Sequence, residues 1–272
     1  MRRSPALWCV LLAALLACGP VFVENHAFAE EEEEAELPED GAPISDAEAK
    51  ELAKALSKAA KRRKAGDILP VLDRVGLRSH PDLHKPLFKL VTHDQTVVAV
   101  RALEILRAQV VEGEKDRAKL AKLIWKYGWT AKKNDKRFAV KGNTILAYVK
   151  QIPGPLEKSH YKEVERMWRW CVGNPHKDWG PGLVAICEYV SETEDKRLCR
   201  MLAENIENPQ PTDVNSPTNP PAAWWKKRWE LWKESKAACI ETLDDLTGET
   251  FKTVEDARKW FEANEKEFGF VW

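Results

Sequence analysis

The residues in this sequence best able to do chemistry are its tryptophans, cysteines and histidines. Trp is used 12 times in 272 residues, and after Pro220-Pro221 the indoles Trp224, Trp225, Trp229 and Trp232 interleave with Lys226, Lys227 and Arg228. At about 100° per residue, Trp225, Trp229 and Trp232 share one helical face with Cys239, Ile240, Leu243 and Leu246, and that face is expected to be core. Trp224 and Leu231 fall roughly 100° away. Trp224, Trp225, Lys227, Arg228 and Leu231 therefore form a candidate ligand surface, a platform for sugar rings or peptides, since indole combines a large apolar face with an N–H donor. The competing expectation is that the extra indoles pack on the neighbouring Pro-rich segment, because Trp is mostly buried.

Four cysteines lie beyond the N-terminal leader: Cys171, Cys187, Cys199 and Cys239. Cys187 and Cys199 fall on consecutive predicted helices and could be bridged. Each of the four also sits in or beside an apolar stripe, where a free thiol behaves as a small hydrophobe. Connectivity does not follow from spacing alone. His80 and His84 are four apart, a spacing that puts two metal ligands on one helical face. Pro81 and Pro86 flank them and no Glu stands beside either, so a helix-capping or surface role is expected and no metal is assigned. His160 and His176 have no evident partner. No Gly-rich phosphate loop, Gly-x-Ser-x-Gly elbow or Cys-x-x-Cys occurs, so the sequence carries no catalytic signature and implies no cofactor.

Charge adds an exclusion. Lys plus Arg number 43 and Asp plus Glu 43, so no net field points to nucleic acid or an anionic membrane. Basic stretches such as Lys61-Arg62-Arg63-Lys64 and Lys132-Lys133 are spaced among acidic residues and are read as solvated faces.

The elements that must position these groups are helices. Ser45-Asp46-Ala47-Glu48 matches a capping box, and Pro, Gly and Asn/Asp punctuation divides the rest into predicted helices at about 46–63, 67–76, 82–92, 94–109, 114–127, 135–152, 156–172, 182–192, 194–206, 222–246 and 254–267. An internal period runs through them. Ala99-Val100-Arg101-Ala102-Leu103-Glu104-Ile105-Leu106 aligns with Ala139-Val140-Lys141-Gly142-Asn143-Thr144-Ile145-Leu146, and the series continues through Ile186 and Ile240 and back to Ile68. The one irregular spacing coincides with a Pro-rich insertion at 208–221. The copies each carry one apolar stripe, formed by Val98, Ala99, Ala102, Ile105 and Leu106 in one and by Phe138, Gly142, Ile145, Leu146, Val149 and Ile152 in the next, with Lys141 and Gln151 expected outside it. A hairpin with a single stripe must lean on a neighbour, so the units are expected to stack.

The period near forty and the Ala-Val-Arg-Ala-Leu-x-Ile-Leu second helix resemble HEAT or armadillo-like α-solenoid repeats, over about 46–268. The ending, Leu246-Thr247-Gly248 followed by Ala257-Arg258-Lys259-Trp260-Phe261, is similar to the closing segment of secreted bacterial proteins of that type. The resemblance implies an all-α fold, a right-handed solenoid of about five helix pairs over 45–252, and a capping helix over 253–272 that covers the end of the array.

The N-terminus reads as an address. Arg2 and Arg3 precede an apolar run at 6–17, too short to span a bilayer, and Ala27-Phe28-Ala29 supplies small residues for a signal cleavage after Ala29. An alternative is a lipobox-like Leu15-Leu16-Ala17-Cys18, with lipidation of Cys18. Residues 30–44, rich in Glu, are expected to be a disordered acidic linker. The expected role is a non-enzymatic, secreted or periplasmic scaffold that binds a protein or envelope component and has no transmembrane segment after maturation. The alternative is a glycan-binding module built on the Trp-rich helix.

Overall fold

Ser45 opens the first helix as its sequence predicts, its Oγ accepting from the Glu48 backbone N–H at 3.3 Å. The Glu48 side chain, instead of closing the capping box, pairs with Arg78 across to the next loop at 2.6 Å. In the computed structural model residues 43–130, 137–154 and 158–268 are described. The leader with Cys18 and Ala29, the linker up to residue 42, Lys132-Lys133 and the last four residues lie outside them.

The helices run α1 (Asp46–Arg62), α2 (Ala65–Val75), α3 (Pro81–Val91), α4 (Thr96–Ala108), α5 (Glu114–Ile124) and α6 (Phe138–Gln151). There follow α7 (Lys158–Gly173), α8 (Gly180–Thr193), α9 (Cys199–Ala203), α10 (Ala222–Thr247), α11 (Val254–Ala263) and α12 (Glu265–Phe268). Among the described residues there is no strand, only one isolated bridge, between Pro43 and Ser79. That bridge corrects the linker reading at its end: Pro43 is paired and Ile44 packs on the core. A bridge plus a half-buried isoleucine offsets the entropy of ordering two residues.

Helix ends follow their punctuation. Arg63 stops α1 in the left-handed region at φ 56°, and Gly248 does the same for α10 at φ 71° without the Cβ penalty. Thr253 Oγ1 accepts from Asp256 N at 3.0 Å to start α11. Two boundaries differ from expectation. The stretch predicted as 194–206 shrinks to α9, because Glu194 turns left-handed at φ 50° and Asp195 caps a short 3₁₀ turn by accepting from Arg197 N. The α5 helix continues as a π-type turn, Trp125–Thr130, which sets Trp125 and Trp129 in a stack 5.7 Å apart.

The even-numbered helices pack in series: α2 on α4, α4 on α6, α6 on α8 and α8 on α10. In the odd set α1 packs on α3, and α5 lies against α6. The recurring isoleucine sits on each even helix. Ile68, Ile105, Ile145 and Ile186 are fully buried, whereas Ile240 is half-buried against the core. The α10 face is rotated from the predicted one. Its buried residues are Arg228, Leu231, Ser235, Cys239, Thr242 and Leu243, which leaves Trp225, Trp229 and Trp232 half-exposed.

The second stripe is corrected too. Lys141 and Gln151 are buried. The Lys141 ammonium lies 4.7 Å from the Trp129 ring and 5.2 Å from Trp170 and donates to the Trp129 carbonyl at 3.0 Å. The π-type turn thus supplies a carbonyl and two indole faces that compensate a buried cation. Gln151 donates to the Leu106 and Gln109 carbonyls at the C-terminal end of α4. Gly142 permits the close approach of the short 3₁₀ turn ahead of α8: a Cβ there would collide with the Asp178 carbonyl oxygen.

The seam fixes a ranking. Ile145→Ala is expected to cost about 2–5 kcal/mol, as for other fully buried aliphatics, and Ile240→Ala clearly less, read from urea unfolding midpoints. Gly142→Ala gains up to about 1 kcal/mol of helix propensity but meets an immovable carbonyl, for which overpacking costs of about 1–3 kcal/mol apply, so it destabilises. Gly66→Ala, with nothing near its Cβ, stabilises. Equal effects of the two glycine changes would contradict this packing.

Candidate functional site

The five residues chosen from the Trp-rich segment do not form one surface. Arg228 and Leu231 are buried at 4% and 2% exposure, so neither can line a ligand platform. Lys227 is exposed, and Trp224 and Trp225 are half-buried. The two indoles meet edge to face at 88° with centroids 4.6 Å apart, and Trp224 Nε1 donates to the Gly173 carbonyl at 3.3 Å. Two perpendicular rings, one tied to the body of the protein, offer no flat face on which a sugar could stack. Further along α10, Lys233 and Lys236 lie over Trp229 and Trp232 at 3.8 and 4.8 Å, covering those rings with cations.

The proposed Cys187–Cys199 bridge is likewise not what the packing brings together. All four described cysteines are free and buried. Cys187 on α8 faces Cys239 on α10, with the sulfurs 3.8 Å apart, because α8 and α10 lie along one another while α9 is a single short helix against α10. Burial pushes the Cys199 thiol up to about 12, so it is an inert core group.

A better-formed site lies where Pro43–Ile44, the start of α3 and the α4–α5 connection converge. A cavity of about 710 Å³ is lined there by Ile44, Ser79, His80, His84, Val110, Asp116, Lys119 and Leu123, with others between them. Its floor is built by sequence-local logic. Ser79 Oγ both donates to the Val110 carbonyl and accepts from the Val110 N–H, each at 3.0 Å, so one hydroxyl clamps the connection against the α3 entrance. Gln109 completes the clamp: its Oε1 accepts from His80 N at 3.1 Å and its Nε2 donates to the Arg78 carbonyl at 2.9 Å.

The i,i+4 histidine pair singled out in the sequence lines this cavity, but as two different devices. His80 caps α3, its Nδ1 accepting from Asp82 N at 3.1 Å. Its Nε2 therefore carries the proton and points to Asp46 Oδ1 at 3.1 Å. With both nitrogens occupied it has no lone pair for a neighbouring hydroxyl, and the Ser79 hydroxyl is itself doubly engaged. The neighbouring Ser79, His80 and Asp46 thus form no nucleophile–base relay. His84, in the first turns of α3, has its Nε2 buried without a hydrogen-bond partner. Burial, above all, holds its pKa below the ordinary 6.5, with the neighbouring His80 and Lys119 acting in the same direction against a hydrogen bond to Gln109. No group of three or more potential metal ligands occurs among the described residues, and no described helix is long and apolar enough to cross a membrane.

The cavity mouth is unusual for its apolar rim. Val110 is 68% exposed, one of two large hydrophobic residues so exposed among the described residues. Glu112, Asp116 and Lys119 are exposed around it. An apolar recess ringed by a few charges of both signs fits an apolar side chain with polar neighbours. Sequence reasoning missed Val110, Asp116, Lys119 and Leu123 because the site is assembled from three loops and one side each of α3 and α5. Only the His80/His84 spacing pointed there.

Comparison with protein-family models, with curated proteins and with solved structures finds no match.

The His84 environment gives a signed pH effect. A histidine whose folded pKa lies below its unfolded value is neutral in the native state while the unfolded chain still binds a proton, so stability rises with pH through that interval. It is fully present above the unfolded value near 6.5 and falls as the pH drops below it. His84→Leu is expected to flatten this part of the melting-temperature profile between about pH 7.5 and 5.5. An unchanged slope in the variant would show that other groups carry it.

Proposed function

We propose that the chain is an exported, non-enzymatic helical-repeat scaffold, about five antiparallel helix pairs wound as a right-handed α-solenoid and closed by α11, which presents its surface to a protein or envelope partner. The observation that carries this reading is the serial packing of α2, α4, α6, α8 and α10, with the recurring isoleucine buried at four of the five positions. Units that each bury one stripe on the next build length and not a closed core, and an elongated stack offers inter-repeat edges to partners. At the far end α11 buries Ala257 and Phe261 and is pinned where Val254 N donates to Glu207 Oε2 at 2.8 Å. Support for export comes from Arg2-Arg3, the apolar run at 6–17 and Ala27-Phe28-Ala29.

Within this reading the cavity beside α3 and α5 is the seat for an apolar side chain of the partner, entering between Ile44, Val110 and Leu123. Asp116 and Lys119 stand at the rim for charged or polar groups of the same segment. Hydrophobic anchoring in a preformed recess with a polar rim is how small interface areas reach useful affinity.

The test uses the full chain as bait on a solubilised envelope fraction, with mass spectrometry of the captured proteins and of the mature N-terminus. A captured partner is expected to lose at least about tenfold in affinity, roughly 1.4 kcal/mol, when Val110→Asp is the bait. That exposed change leaves folding within about 0.5 kcal/mol. Capture unaffected by Val110→Asp would remove the cavity from the reading. An intact leader on the mature protein would remove export.

A further inference from the structure

The joint between α8 and α10 holds a group of side chains that a plain hydrophobic seam does not need. Cys187 and Cys239 meet with sulfurs 3.8 Å apart. Asn205, just past α9, donates from Nδ2 to Cys239 Sγ at 3.5 Å and to Ser235 Oγ at 3.1 Å. Its Oδ1 in turn accepts from Arg228 Nη2 at 2.6 Å. Arg228 is 4% exposed, pairs with no carboxylate among the described residues, and keeps a buried Nη1 without a hydrogen-bond partner. Burial pulls its pKa down to about 10.

A buried guanidinium without an anion is costly. The ionisable group that acts on the Arg228 charge is the Cys239 sulfur, reached through Asn205. The two cysteines differ accordingly. The Cys239 pKa is lowered, first by the hydrogen bond from the Cys187 thiol and then by Asn205 and the Arg228 charge, against its burial. The Cys187 pKa is raised, first as the donor in that same hydrogen bond and then by burial. A thiol beside donors and cations holds more thiolate than one that is merely buried; Cys187 and Cys239 are both fully buried, so an oxidant reaches Cys239 only when the α8–α10 joint opens. At Cys171 and Cys199 no side-chain donor reaches the sulfur, and burial outweighs the Lys141 and Lys196 charges and raises both.

We infer that Cys187 and Cys239 are a reversible dithiol–disulfide pair, with Cys239 the attacking thiolate and Cys187 the resolving thiol, whose oxidation ties α8 covalently to α10. The step balances with a disulfide oxidant, either oxidised glutathione or a thiol–disulfide oxidoreductase. Cys239 thiolate attacks one sulfur of the oxidant, forming a mixed disulfide and releasing a first thiol, which takes up a proton. Cys187 then loses its proton, attacks Cys239 Sγ and expels the second thiol. Two electrons pass to the oxidant, and two protons end on its thiols. The sulfurs close from 3.8 Å to about 2.05 Å. The availability of such an oxidant in the cell rests on the export reading, whereas the pairing itself rests on the packing alone. Because Asn205 and, behind it, the Arg228 charge favour the ionised form of Cys239 in the reduced state, reduction is favoured and the bond is the labile, reversible kind and not a fixed staple.

The experiment equilibrates the purified full chain in glutathione buffers of graded oxidation, traps free thiols by alkylation under denaturing conditions, and maps linked peptides without reduction. The expected result is a peptide joining Cys187 to Cys239 under oxidising conditions, with Cys171 and Cys199 still alkylated, lost again in reducing buffer, and an upward shift of the urea midpoint of the oxidised form. Cys187→Ser is expected to accumulate a glutathione adduct at Cys239 several-fold more than Cys239→Ser accumulates one at Cys187. No linked peptide in excess oxidised glutathione, or a dominant Cys187–Cys199 link, overturns the pairing. Equal or reversed adduct levels overturn the assignment of the attacking thiol. Should either serine variant fail to fold, the wild-type peptide map and its reversal still decide the pairing. A soluble, linked chain with an intact leader would uphold this inference while the export reading fails.

Discussion

An amphipathic helix with one apolar stripe cannot satisfy itself, and that constraint governs this molecule. Each even helix gives one side of its stripe to the helix before it and the other to the helix after it, so the burial of Ile105 depends on α2 as well as α6. The buried apolar residues run on as one cluster from α1 to α11, so a loss on one helix is felt by the helices packed on it. The joints of this series differ where a stripe meets a partner of different chemistry. Local detail elsewhere, including which face Lys141 occupies, is decided by what the neighbouring turn offers.

Much of this was legible in the sequence, and the parts that were share a cause. Helix positions followed from Ser45, Thr253, Gly248 and the prolines, whose effects on the backbone are local. The recurring isoleucines followed because the repeated pattern falls on α2, α4, α6, α8 and α10, which pack in that order. What failed was the exact direction of a face. Helix α10 has large aromatics on two adjoining flanks, and its buried face, through Arg228, Leu231, Ser235 and Cys239, is the more polar of the two. A wheel weighted by hydrophobicity turns α10 the wrong way, since it counts an indole as buried and a guanidinium as exposed.

Lys141 and Gln151 failed for a related reason. Both are buried with their polar atoms satisfied by main-chain carbonyls that lie distant in sequence, and no pattern within one helix reports a carbonyl contributed by another. The cavity beside α3 was equally out of reach. His80 and His84 could be noticed by spacing, but the wall formed by Val110 and Leu123 depends on the Ser79 and Gln109 clamps, which join segments about thirty residues apart. The Cys187–Cys239 contact likewise spans 52 residues, so nearness along the chain favoured Cys199, the wrong neighbour.

The polar groups in the joints differ in a way that orders them. Gln109 and Gln151 are carboxamides, neutral groups that can be buried at little net cost once each donor and acceptor is matched, and both donate to carbonyls at the C-terminal end of α4. At α8 and α10 the same connecting task falls to Asn205, but its partner is the Arg228 cation. A charge in that position remains costly until an anion meets it, and no carboxylate does so among the described residues. The joint of α8 and α10 is therefore the one that leaves a buried cation short of a partner, where Ile68, Ile105 and Ile145 are held by apolar packing.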